Sequence, residues 1–307
     1  MSGNPYPTAK SIKTMSIGIG KAKSIFLGEH FVVYRGKAIG FGLDKKIEVE
    51  IKKSEKLRYE FSADKKVRFA IKLLQKLLKI GNFKIKIKQS EIPVASGLGS
   101  SAASLVAVIR AISAEFNLNL DDKKVCNLAY EAEKIFHGSP SGIDNALATY
   151  GGFISFQKKA RGNFIKHLKI KKPIHFVFID TGKRGNTKIM VAKIKRWKKL
   201  NEKVFYKFLN QESVIITKAI RCLKAGNYKE LGELMNLNQN LLKIIGASGR
   251  ENNKVISAAR AAGALGVKLV GAGGGGFCLA LVKNKKEAVK FTKLLTKEYR
   301  CFYCLVN

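Results

Sequence analysis

The stretch Pro93-Val94-Ala95-Ser96-Gly97-Leu98-Gly99-Ser100-Ser101-Ala102-Ala103 constrains this chain more than any other. Before it, Phe83, Ile85 and Ile87 alternate with Lys84, Lys86 and Lys88, the period-two pattern of a half-buried strand. After it, Leu105, Ile109, Ile112 and Phe116 recur at steps of four, three and four, one face of a helix. A glycine- and serine-rich turn that opens a helix is therefore expected. Gly97 and Gly99 let the backbone bend sharply and approach a ligand with no Cβ in the way. The first helical turn leaves amide N–H groups unpaired, and the helix dipole adds partial positive charge there. That combination suits an anion, most often phosphate. The plainer alternative is a strand–turn–helix corner with Ser100 as its N-cap. Neither G-x-x-x-x-G-K-[ST] nor G-x-G-x-x-G stands here, so the two commonest phosphate loops do not apply.

With 307 residues the chain has room for two domains or one large one. No apolar run approaches membrane-spanning length and the N-terminus lacks the apolar centre of a signal peptide, so a cytoplasmic protein without membrane contact is expected. Five cysteines, odd in number and irregular in spacing, make no disulfide framework. The lone Cys301-x-x-Cys304 has no second pair to complete a zinc site. A formal net charge of +36 draws polyanions non-specifically and speeds the arrival of anionic substrates. The lysines are spread through every segment, without a basic tail or a zinc-finger or RNA-recognition signature, so no specific nucleic-acid partner is expected.

Read in order, residues 1–14 are polar with two prolines and are expected to be a loose tail. Met15–Leu27 reads as a strand interrupted around Gly20–Lys23, and Glu29-His30 follows between apolar runs. Residues 44–61 alternate as a strand, and 64–80 carry an amphipathic helix. A helix begun by Asp121 or Asp122 places Glu133 at or near its buried face, where a carboxylate needs a partner: a metal cation, or a lysine at the helix edge. Pro140 and Gly142 fix a turn, and Asp144 lies just beyond it. Lys158–Lys172 is a basic connector between expected domains 15–165 and 166–307. Residues 188–245 read as helices, with an unassigned polar cluster at Asn236, Asn238, Gln239 and Asn240. Five glycines in Gly271–Gly276, between two apolar strands, make a backbone-rich turn able to lie close to a ligand.

Five stretches resemble the GHMP kinases, three of them the mevalonate-phosphorylating branch in particular. P-V-A-S-G-L-G-S-S-A-A resembles the family's ATP loop. K-x-I-x-L-G-E-H-x-V-V-Y-x-G, starting at Lys23, is similar to the N-terminal signature of the mevalonate kinases. H-G-x-P-S-G-I-D-N-A-x-x-x-x-G-G, from His137, resembles the segment that holds the family's catalytic aspartate. K-L-x-G-A-G-G-G-G, from Lys268, resembles the C-terminal motif, and the stretch ending at Thr187 the R-N-T segment. Two departures stand out. The family's P-G-K is Lys21-Ala22-Lys23 here, and spacing to Gly28-Glu29-His30 selects Lys23 over Lys21. Gly185 stands where an arginine is common, so Arg184 is not carried over.

The resemblance implies an α+β, two-domain GHMP kinase fold: an N-terminal α/β domain carrying the phosphate loop, and a C-terminal ferredoxin-like domain. It implies phosphoryl transfer from ATP, with Mg²⁺, to the 5-hydroxyl of mevalonate. Asp144 and Lys23 take the catalytic positions. Pro93, Ser96, Gly97, Leu98, Gly99, Ser100, Ser101 and Ala102, with Gly271, Gly273 and Gly274, hold the nucleotide. Ser101 and Glu133 hold the metal, and Glu29, His30 and Thr187 face the acceptor. The partners are ATP and the small molecule, with a homodimer left open. Another small-molecule kinase of the family, acting on phosphomevalonate or a sugar, is the nearer alternative. A basic nucleic-acid-binding protein on a kinase scaffold is the more distant one.

Overall fold

The long strand β1 (Ser16–Leu27) organises the first half of the chain. It is continuous where an interruption was expected, because the break is a bulge: its register with the next long strand shifts between Lys21 and Lys23. A bulge re-aims the side chains that follow it, and Lys23 turns inward to 3% exposure. The computed structural model describes residues 15–93, 97–138, 140–159 and 162–307. A 3₁₀ turn (Phe31–Tyr34) leads into β2 (Lys37–Lys53), followed by the short β3 (Arg58–Tyr59), α1 (Lys65–Leu78) and β4 (Phe83–Ser90). Helices α2 (Ser100–Glu115), α3 (Asp122–His137) and α4 (Ile143–Tyr150) come next, then strands β5 (Phe153–Gln157) and β6 (Phe164–Leu168). Strand β2 pairs with β1 along nearly its whole length, with β5 through residues 37–41 and with β4 through residues 47–53. Strand β6 pairs with β5, so the basic connector expected after Lys158 contains the last strand of this sheet, which closes at Leu168.

The second half contains β7 (Ile174–Asp180), α5 (Thr187–Leu200), α6 (Glu202–Ala225), α7 (Tyr228–Ile244), α8 (Arg250–Ala261), β8 (Gly266–Leu269), β9 (Phe277–Val282), α9 (Lys285–Leu295) and β10 (Cys301–Val306). The spatial order β10-β7-β9-β8 is antiparallel throughout. With helices between the first and second strands and between the third and fourth, this is the split β-α-β, ferredoxin-like arrangement. Phe41 of β2 stacks on Phe176 of β7 with centroids 5.0 Å apart, and Phe26 lies 5.5 Å from the same ring. One apolar core therefore runs between the two sheets. Among the described residues no helix is long and apolar enough to cross a membrane.

What fixes the phosphate-loop helix is an interface without side chains. A Cβ on Gly18 would sit 2.0 Å from the Ala107 carbonyl, and one on Gly20 would sit 1.9 Å from that of Ala103. Ala103, Ala107 and Ala111 follow one another at i+4 along α2, so the strand and helix backbones nearly touch. Gly20→Ala must push α2 off β1. The expected cost is about 3 kcal/mol, the upper end for overpacking, read as a lower urea midpoint at unchanged m-value. An unchanged midpoint would mean that the contact carries no stability.

Candidate active site

Lys23 is the point at which the separate motifs meet. Its backbone N–H donates to the Leu98 carbonyl at 3.0 Å. Its ammonium donates to the Gly97 carbonyl at 3.3 Å and pairs with Asp144 Oδ1 at 2.9 Å. One buried lysine thus ties β1 to the phosphate loop and to the first turn of α4. Gly99 makes room for it: at φ 78°, it would place a Cβ 2.4 Å from Lys23 Cε. Gly99, in the left-handed conformation, is also the N-cap of α2, with no side-chain capping bond. The corner reading with Ser100 as N-cap is thereby corrected, because Ser100 is already the first helical residue.

The N–H groups of Ser100, Ser101 and Ala102 head α2, and the first intrahelical bond from this end is donated by Ala103, to Gly99 O. Ser101 is exposed there. Pro93 ends the described chain before the loop, and Ser96 lies outside the described residues.

Glu133 faces inward from α3 at 4% exposure, and its Oε2 has no well-formed hydrogen bond among the described residues. Burial, reinforced by the charge of Asp144, pushes its carboxyl up to about 8. Lys23 opposes the shift but serves two carboxylates with one charge. Asn145 beside them is fully buried and, as a side-chain hydrogen-bonding neighbour of Glu133, also opposes the shift. An unpartnered carboxylate oxygen next to a second carboxylate suits a hard cation with oxygen ligands, and the hydroxyl and carboxylates present belong to that donor class.

The C-terminal glycine turn comes up against the phosphate loop. A Cβ on Gly271 would be 3.4 Å from Gly97 Cα, and one on Gly97 would be 3.3 Å from the Val270 carbonyl. Gly273 packs on the Ala247 carbonyl, and Gly274 on Met190. Thr187 opens α5 on the exposed side, one turn before Met190, and so lies near this turn rather than on Lys23.

Glu29 and His30 are buried. His30 has φ 63° and ψ −40°, and the Phe31 N–H donates to Glu29 O at 2.7 Å across it. This is a γ-turn with positive φ, a strained conformation for a residue with a Cβ. Burial lowers the His30 imidazole to about 4, so it is neutral and Nε2–H donates to the Ala272 carbonyl at 3.0 Å.

Sequence reasoning missed the ionic partners behind this turn. Lys268, in the apolar run of β8, is fully buried and pairs with Glu29 Oε1. Glu212 of α6 is buried, and its Oε2 accepts from Asn238 Nδ2 at 2.9 Å. Asn238 and Gln239, left without a role by the sequence, serve this network, since Gln239 Oε1 accepts the Leu269 N–H at 2.9 Å. The available signal was a lysine between Val267 and Leu269, a charge that a buried strand holds only with a partner.

Models of the GHMP kinase N-terminal and C-terminal domains match residues 65–152 and 219–301. A mevalonate kinase of Pyrococcus furiosus is 34% identical over 309 aligned positions, covering 89% of this chain and 91% of its own. The chain belongs to the mevalonate kinase family. The crystal structure of L. major mevalonate kinase in complex with R-mevalonate superposes at a TM-score of 0.84, with 29% identity over 98% of this chain and 99% of that one. Streptococcus pneumoniae phosphomevalonate kinase reaches the same TM-score at 18% identity, over 95% of this chain and 100% of that one. The latter is likeness of fold alone. Membership of the mevalonate kinase family brings ATP as phosphoryl donor.

The buried Glu212 gives this family member a measurable pH dependence. Burial pushes its carboxyl to about 7, with Glu29 adding to the rise, against an ordinary value of 4.5. The folded state thus keeps a proton that the unfolded chain releases, so stability falls as pH rises from about 4.5 to 7 and is level above. Glu212→Gln removes that slope. Relative to the parent, it gains on the order of 3 kcal/mol between pH 4.5 and pH 8. Urea titrations at the two pH values check this, and parallel changes in both proteins would show that Glu212 is not the group responsible.

Proposed function

We propose that this protein transfers the γ-phosphoryl group of ATP to the 5-hydroxyl of (R)-mevalonate, giving 5-phosphomevalonate and ADP. One observation carries the reading: Lys23 joins the carboxylate of Asp144 to the loop that heads α2. The amides at residues 97–101 are suited to the phosphate oxygens, aided by the helix dipole. The Gly271–Gly274 turn packs against the loop and supports that side of the nucleotide.

Asp144 orients the hydroxyl and takes its proton as the new O–P bond forms and the bond to the bridging oxygen of ADP breaks. An alcohol is a poor acid, so that proton leaves late. Lys23, paired with Asp144 at 2.9 Å, orients that carboxylate and stabilises charge on the transferring group. Mg²⁺, when bound by Ser101 and Glu133, neutralises phosphate charge. The unpartnered Glu133 Oε2 supports that assignment. Glu29 and His30 are assigned to the acceptor, and Thr187 to its outer edge.

Asp144→Asn keeps the size and loses the basicity. Its turnover falls at least 100-fold, the scale of general-base loss, while ATP affinity stays within about twofold. ADP release, coupled to a reporter enzyme and offered mevalonate, phosphomevalonate and galactose side by side, checks both the variant and the acceptor. Turnover by the parent on another acceptor alone would retain the mechanism and reassign Glu29, His30 and Thr187. Near-normal turnover of Asp144→Asn would remove it as the base.

A further inference from the structure

The side chains of the strained Glu29–His30 turn are both held by the strand and loop at residues 268–272. Lys268 binds the Glu29 carboxylate, and the Ala272 carbonyl accepts the His30 Nε2–H. Lys268 is held in turn, donating to the Leu269 carbonyl at 2.6 Å, while Gln239 fixes the Leu269 N–H. The same loop abuts Gly97, and Glu29 lies within the electrostatic reach of Lys23. A lysine with no exposed surface is a poor stabiliser: an apolar side chain of equal length would avoid its desolvation. Its geometry instead addresses the one carboxylate that begins the γ-turn. Among the described residues Glu29 Oε2 has no hydrogen-bond partner, so Oε1 is the oxygen committed to holding the turn.

We propose that Lys268 is a positioning residue for the acceptor: by fixing the Glu29 carboxylate it holds the strained His30 turn beside Lys23 and Asp144. Acceptor binding thus depends on a residue that acts only through Glu29. The inference rests on assigning Glu29 and His30 to the acceptor side.

The test is a double-substitution cycle on the full chain with Lys268→Met, Glu29→Gln and the two combined. Acceptor KM, kcat, ATP affinity and urea midpoint are measured for each. Lys268→Met is expected to raise the mevalonate KM at least about tenfold, with ATP affinity within about twofold. Because Lys268 works through Glu29, Glu29→Gln and the double variant should share one acceptor KM within about twofold. The double variant, free of the unpaired buried charge, should recover the urea midpoint without recovering KM.

Parallel losses for ATP and mevalonate, or KM restored along with stability, would show a merely structural lysine and overturn the proposal. So would a further tenfold rise on adding Lys268→Met to Glu29→Gln, a comparison that decides the matter even if Lys268→Met alone does not fold. If the parent phosphorylates a different acceptor, the functional reading falls and the cycle is read on that acceptor. If the parent uses mevalonate and Lys268→Met keeps its KM, this inference falls alone.

Discussion

The contact between the Lys23 ammonium, the Gly97 carbonyl and Asp144 is the interaction on which the site depends. A buried lysine must be paired, and here the pairing assembles the centre. The ammonium has to satisfy a carbonyl of the phosphate loop and a carboxylate in the first turn of α4, so neither can drift without leaving the buried lysine unpaired. The glycine and alanine interface of β1 and α2 makes this possible, because it brings the loop near enough for a strand lysine to reach beneath Gly99. A stabilising contact and the proposed catalytic geometry are then the same object.

Two buried ionic clusters share one electrostatic pattern. Lys23 faces Asp144 and Glu133, and Lys268 faces Glu29 and Glu212. In each, one cation serves two carboxylates, although the chain as a whole carries +36. Burial displaces Glu133 and Glu212 upward, and the neighbouring anion in each cluster adds to the rise. In the first cluster an unpartnered oxygen suits a cation. In the second the charges brace a turn. The positive exterior has a separate consequence, a field that draws anionic molecules such as ATP from solution and weakens with salt.

Much of this was legible in the chain itself. The strand before the phosphate loop and the helix after it follow from their periodicities, and both form as β4 and α2. Glu133 was readable as a carboxylate near a buried face, though its partner was not. The break expected at Gly20–Lys23 was a sound local reading with a different outcome: pairing with β2 absorbed it as a bulge. Strand β6 was hidden because a five-residue edge strand flanked by lysines has the surroundings of a linker, and only the partner β5 makes it a strand.

The sequence by itself determined the order of the chemical parts, the helix-opening loop and the family, because glycine placement and apolar period are local properties. Tertiary structure alone decided which charges meet. Lys23 and Asp144 are far apart along the chain, as are Glu29 and Lys268, and nothing local records that they touch. Lys268 looks like an anomaly in an apolar strand until the fold supplies Glu29. The physical reason is that an ion pair is set by where two backbones pass each other, whereas a turn or a helix face is set by neighbours along the chain.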